Sequence, residues 1–168
     1  KRSNVNVKGV TLSEEQINYS RKRKIEESLD KVEYNLQDYR KVEDKYDRIV
    51  SVGMFEHVGT VHYQEFFNKV YDLLNQKGVA LIHTIGRIDG PTTNDPWIEK
   101  YIFPGGYIPA LSEVMNRIEK SGLITTDVQI LKFHYAETLK RWRYNFYDNL
   151  DKVKELYDEK FCRMWDFY

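Results

Sequence analysis

The stretch Ser51-Val52-Gly53-Met54-Phe55-Glu56-His57-Val58-Gly59 follows the apolar pair Ile49-Val50 and sets an acid beside a base. In an open α/β sheet, ligands sit outside the carboxyl ends of the strands. A strand that stops at Gly53 and delivers Glu56 and His57 just past its tip places polar chemistry where such a fold keeps its ligand. Further on, a second apolar strand, Val79-Ala80-Leu81-Ile82, runs into His83-Thr84-Ile85-Gly86. Taken singly, Glu56 with His57 also reads as a helix-start acid and a surface histidine, and His83 as a buried histidine bonded to backbone. Two strands with polar groups at equivalent ends favour a site.

Outward from these strands the chain alternates. Val5 to Val10 has the period-two pattern of a strand. Ser13-Glu14-Glu15-Gln16 is a capping-box pattern, opening a helix that carries Ile17, Ile25 and Leu29 to about Asp30. Val32 to Leu36 is a short strand, and the loop Gln37-Asp38-Tyr39-Arg40 follows. After the strand Arg48–Val52, Tyr63, Phe66, Phe67, Val70, Tyr71 and Leu74 recur at helical spacing, with Gly78 as the stop. Val79 to Ile85 is near-continuously apolar, the pattern of a parallel strand covered on both faces. This β-α-β-β-α-β series predicts an α/β fold with a largely parallel sheet. Residues 86–108, aromatic and rich in Gly and Pro, read as a lid or insertion. Pro109 opens a helix closed by Gly122, Thr125 to Phe133 reads as a strand, and Tyr135 to about Asn149 as a helix. The last segment sets Val153, Leu156, Tyr157, Phe161, Met164, Trp165 and Tyr168 on one stripe, within a helical segment 134–168.

Composition excludes several classes. The 168 residues are the length of one domain or part of one, and 41% hydrophobic with 14% aromatic content is enough to build a core. Lys plus Arg equal Asp plus Glu at 26 each, for a net charge of zero; a nucleic-acid binder normally carries a basic excess. No apolar run approaches the roughly 18 residues that span a bilayer. One cysteine, Cys162, makes neither an intrachain disulfide nor a cysteine metal cluster. No signal-peptide pattern opens the sequence at Lys1-Arg2-Ser3-Asn4, so a cytoplasmic location is expected. The basic run Arg21-Lys22-Arg23-Lys24 reads as a solvated helix face, with anionic headgroups as the other reading.

The segments GVTLSEEQ (9–16), LQDYR (36–40), DRIVSVGMFEHVG (47–59), HTIG (83–86), DPWIEKYIFPGG (95–106), HYAETLKRW (134–142) and EKFCRMW (159–165) together resemble the cyclopropane-fatty-acid and mycolic-acid cyclopropane synthases. They lie in family order along nearly the whole chain. LQDYR and DPWI bring it nearer the bacterial phospholipid branch. The resemblance implies a partial Rossmann-like, class I S-adenosylmethionine-dependent methyltransferase fold with a helical, lipid-binding lid insertion. It implies S-adenosylmethionine at Thr11, Leu12 and Gln16 on the adenosyl side, and at Asp38 and Tyr39 on the adenine. It also implies a bicarbonate ion held by Glu56, His83, the Ile85 amide and Tyr135, with Phe103 near the reacting centre, and no metal. The implied substrate is a phospholipid acyl chain at the inner face of the membrane.

The chemistry suits these residue types. Methyl addition to a cis alkene leaves a carbocation, which needs a dry pocket with aromatic faces. Ring closure then needs a base for one proton of the added methyl, which bicarbonate can supply. A branched or hydroxylated product on another lipid reads equally from the same residues. Simpler roles stand beside each assignment: Thr11 and Gln16 as helix-start residues, Asp38 as a turn former, Tyr135 as core and Phe103 as lid packing. The final aromatic stripe reads as core packing, with a lipid-facing surface second.

Two family features are not in this sequence: the glycine-rich loop, which would precede Lys1, and the cysteine segment after Tyr168. Cys162 does not match that cysteine. The expectation is an internal piece of a larger enzyme, binding cofactor weakly or not at all. A sheet without its central strand would leave open edges, which recruit partners, so a rearranged sheet, a homodimer or strand exchange is expected. An inactive association module is the alternative from another class.

Overall fold

The computed structural model describes residues 4–168 and leaves Lys1, Arg2 and Ser3 outside the described residues. Its elements run β1 (Val7–Thr11), α1 (Glu14–Glu26), β2 (Val32–Leu36), β3 (Tyr46–Val52), α2 (Tyr63–Leu73), β4 (Leu74–His83), α3 (Pro96–Tyr101), α4 (Leu111–Lys120), α5 (Lys132–Asp148), α6 (Leu150–Leu156) and α7 (Glu159–Phe167). The expected alternation through β4 is present, and both strand pairings are parallel.

The strands form two separate pairs, β1 with β2 and β3 with β4. Among the described residues no β-ladder joins the pairs, so the open edges of β1 and β3 are not healed by a rearranged sheet within the chain. The salt bridge from Lys8 Nζ to Asp44 Oδ2, 2.7 Å, ties β1 to the turn before β3.

The core is built by α2. Tyr63, Phe66, Phe67 and Val70, at helical spacing, are all buried and close around Phe55 from the turn after β3. Phe55 stacks on Tyr63 with centroids 4.3 Å apart and meets Phe66 edge-on at 5.1 Å, arrangements that aromatic quadrupoles favour. Ile49, Ala80 and Ile82 cover this cluster from the sheet, and Val114 and Ile118 from α4.

Several expectations are corrected. Helix α1 ends at Glu26, four residues early, where Ser28 takes a left-handed φ of 50° and the chain turns toward β2. Gly78 stops no helix: α2 ends at Leu73, and Gly78 lies inside β4 at its register shift against Tyr46 and Arg48. A Cβ there would lie 2.8 Å from the Leu74 side chain and 2.9 Å from the Asn75 carbonyl oxygen, so close approach, not helix termination, demands glycine. Strand β4 is not covered on both faces, because Val79 and Leu81 beside Val50 and Val52 form an exposed apolar face. Residues 125–131 form no strand, because no neighbouring strand offers a ladder, and the chain enters α5 at Lys132. The C-terminal stripe is broken at Tyr157, where extended backbone separates α6 from α7. Ring stacking of Phe161 on Tyr157 and of Trp165 on Trp142 holds α5 to α7 together.

Candidate active site

Thr11, Asp38, Glu56 and His83 lie at or just beyond the carboxyl ends of the four parallel strands. At the tip of β3, Gly53 takes φ = 65°, a conformation that L-residues avoid. Its N–H closes the ladder on the His83 carbonyl at 3.1 Å. The chain then makes a single 3-10 turn, Phe55–His57. Phe55 plugs the core, and that anchor fixes its neighbour. Glu56 is only 8% exposed. Its Oε1 accepts a 2.6 Å hydrogen bond from the Ile85 N–H past the end of β4, and its backbone carbonyl accepts the Tyr107 N–H at 2.8 Å. Its Oε2 is buried with no partner. A buried acceptor left unpaired costs about 1–3 kcal/mol, so this oxygen marks a place for a donor.

The structure therefore joins Glu56 to Ile85. His83 stands on the exposed face of β4, on the same side as Val79 and Leu81, and its ring has no hydrogen bond among the described residues. Tyr135 lies in the first turn of α5, where its hydroxyl is engaged by that of Tyr168 at the end of α7. Phe103, in the turn after α3, meets the Tyr168 ring edge-on at 6.2 Å. Tyr168 thus links Phe103 and Tyr135, and burial followed by its bond to Tyr135 raises its phenol pKa.

The adenosyl-side residues form local networks. Thr11 Oγ1 donates to Gln16 Oε1 at 2.8 Å and accepts the Ser13 N–H at 3.1 Å, while Ser13 Oγ accepts the Gln16 N–H. The capping box is thus half formed, its glutamine turned to Thr11. Leu12 is 71% exposed between them. Asp38 caps the turn at Tyr39–Lys41 and binds the Arg40 guanidinium at 2.6 Å, and those contacts hold its carboxyl below the usual range. Tyr39 packs edge-on to Phe66 at 5.5 Å, and burial raises its phenol.

The sequence reading missed a clasp at the base of the 86–108 segment. Asn94 Nδ2 donates to the Gly106 carbonyl at 2.5 Å, and its Oδ1 accepts the Ile108 N–H at 3.1 Å. Arg87 Nε donates to the Ile108 carbonyl at 2.9 Å. The Tyr107 hydroxyl donates to Glu113, whose Oε2 also accepts the Ala110 N–H at 2.8 Å. Glu113, three residues after Ala110, was the one available signal, since it takes a capping-box position; the backbone contact from Tyr107 to Glu56 leaves no trace in the pattern.

The chain is 40% identical over 164 residues to the cyclopropane-fatty-acyl-phospholipid synthase of Escherichia coli, covering 98% of this chain and 42% of that protein. It therefore spans less than half the length of that relative. The crystal structure of mycolic acid cyclopropane synthase CmaA1 complexed with SAH and CTAB superposes with a TM-score of 0.87 at 32% identity, covering 99% of this chain and 64% of that one. Cyclopropane synthase MmaA2 from Mycobacterium tuberculosis gives 0.82 at 28%, over 98% and 63%. The fold is thus that of the Rossmann-like methyltransferases. Residues 1–168 match the family described as mycolic acid cyclopropane synthetase, and the chain belongs to that family.

Proposed function

We propose that this chain supplies the acceptor-side wall of an S-adenosylmethionine-dependent lipid methyltransferase that forms a cyclopropane ring across the cis double bond of a phospholipid acyl chain. The work would be done at the cytoplasmic surface of the membrane. The carrying observation is Glu56: one carboxylate oxygen is fixed by the Ile85 amide and the other is buried without a donor. The O–H of bicarbonate fits that orphaned acceptor, and the ion would supply the base for ring closure. S-adenosylmethionine would supply the electrophilic methyl group, held by Thr11, Leu12 and Gln16 with Asp38 and Tyr39. Exposed Leu12 offers an apolar surface to an adenosyl group, and Thr11 with Gln16 offers paired polar atoms.

The chain's own residues then divide the labour. Glu56, held in place by the Ile85 N–H, would anchor a small anion through its unpartnered oxygen, with His83 at the neighbouring tip and the Tyr135 hydroxyl as further ligands. Phe103 gives an aromatic face toward a cationic centre. The 86–108 segment excludes water, clasped at its base through Tyr107 to Glu56. The test is a methyl-transfer assay of the full-length protein on vesicles of unsaturated phospholipid, with the fatty acids read by mass spectrometry. A cyclopropane product lost in Glu56→Gln supports the reading; a methyl-branched product redirects it to a related lipid methyltransferase, and no acyl modification overturns it.

An association module is the second reading, favoured by the two unjoined strand pairs and the exposed Val50, Val52, Val79 and Leu81. Calorimetric titration with S-adenosylmethionine of the full-length protein separates the two, with absence of heat favouring association.

A further inference from the structure

A cleft of about 360 Å³ lies between the head of α2 and the outer face of α4, with Pro91 of the 86–108 segment over it. That volume is at the small end of ligand-sized clefts, roughly 300–1,000 Å³, and exceeds what a lone simple ion needs. Its lining is polar and rich in donors: Thr60 from the 3-10 turn before α2, Tyr63 at the start of α2, and Ser112, Asn116 and Arg117 from α4. Three features set it apart from an ordinary groove. The Tyr63 hydroxyl is buried without a hydrogen-bond partner, in a residue only 1% exposed. The first turn of α2 has no side-chain cap, and its acid, Glu65, is not among the residues lining the cleft. Arg117 is half-buried, and its guanidinium has no ion pair among the described residues.

The natural partner for Arg117 is Glu113, one turn earlier on the same helix. Glu113 is instead occupied by the Tyr107 hydroxyl and the Ala110 N–H. The cleft therefore holds a free cation, a set of hydroxyl and amide donors and, at one edge, a carboxylate. A phosphate group satisfies the donors, and an amine joined to it would sit toward Glu113. We propose that this cleft binds a phosphate-class oxyanion, with the phosphodiester headgroup of an aminophospholipid as its occupant. The oxyanion site stands on its lining alone, whereas the headgroup identity rests on the lipid-methyltransferase reading. Because the Tyr63 ring stacks on Phe55, next to Glu56, a headgroup here is one packed ring away from the acid at the strand tip.

Titration calorimetry of the chain with inorganic phosphate and with glycerophosphoethanolamine tests it. We expect both to bind, the diester more tightly. Arg117→Met should weaken both by about tenfold to a hundredfold, the range for hydrogen bonds to charged groups. Tyr63→Phe, which keeps the ring on Phe55, should weaken both several-fold and serves if the arginine variant does not fold. Equal affinity for the two ligands, with both variants impaired, would make free phosphate the occupant and overturn the headgroup assignment. No binding, or binding indifferent to both substitutions, overturns the site. Intact binding beside failed methyl transfer would overturn the activity and leave the cleft standing.

Discussion

Phe55 is fully buried while the adjacent Glu56 turns its carboxylate to the Ile85 amide, so packing and chemistry are separable at neighbouring positions. Phe55→Ala should cost about 3–5 kcal/mol in chemical denaturation, as expected for an aromatic removed from a closed core. Glu56→Gln keeps an acceptor for the Ile85 N–H and should leave the melting temperature within a few degrees. It should lower methyl transfer by about 10²–10³-fold, the scale of a lost electrostatic contact in an active site. A third consequence concerns pH. Arg40 holds the Asp38 carboxyl below its ordinary value. A depressed carboxyl contributes stability that is complete above the unfolded value of about 3.9 and is lost as pH falls through the folded one. Asp38→Asn should therefore lower stability modestly at neutral pH, leave it nearly unchanged at the acid end, and so flatten the acid limb of a stability–pH curve measured below about pH 4.

At the scale of elements, the tip of β3 depends on Gly53. Gly53→Ala forces a Cβ into φ = 65° and should cost about 1–2 kcal/mol, seen as a lower denaturation midpoint. Helix α3 depends on Asp95, whose Oδ1 accepts the N–H groups of Trp97 and Ile98 at 2.8 and 3.1 Å. Asp95→Ala should cost about 1 kcal/mol and speed proteolysis within the 86–108 segment. These features also show what the sequence discloses. Helix α2 was legible because Tyr63, Phe66, Phe67 and Val70 repeat at its period, and the tips of β3 and β4 because apolar runs end in polar residues. Residues 125–131 misled because alternation records the wish for a sheet neighbour, not its presence. Position 78 misled because glycine ends helices and also admits close backbone approach, and only the register of β4 on β3 distinguishes these. Clasp residues such as Asn94 were invisible because their partners are main-chain groups at residues that carry no side-chain signal.

Across the whole molecule, the two strand pairs share an α/β plan without sharing a ladder, and the β3–β4 face presents Val50 opposite Leu81 with Val52 and Val79 beside them. Contiguous exposed apolar surface of this kind marks contact sites. Sedimentation of the isolated chain should show concentration-dependent association, and Val50→Lys with Leu81→Lys should shift it toward monomer without loss of helical circular dichroism. No helix among the described residues is long and apolar enough to cross a membrane.

The donor that grips Glu56 belongs to the peptide group at Ile85, not to its side chain. The alphabet at that position is therefore nearly free with respect to this contact: valine, leucine or alanine would all present the same N–H. Proline alone deletes it. A scan of substitutions at 85 would thus read as tolerance with a single hole, which is how a main-chain contact escapes notice when importance is judged by side chains.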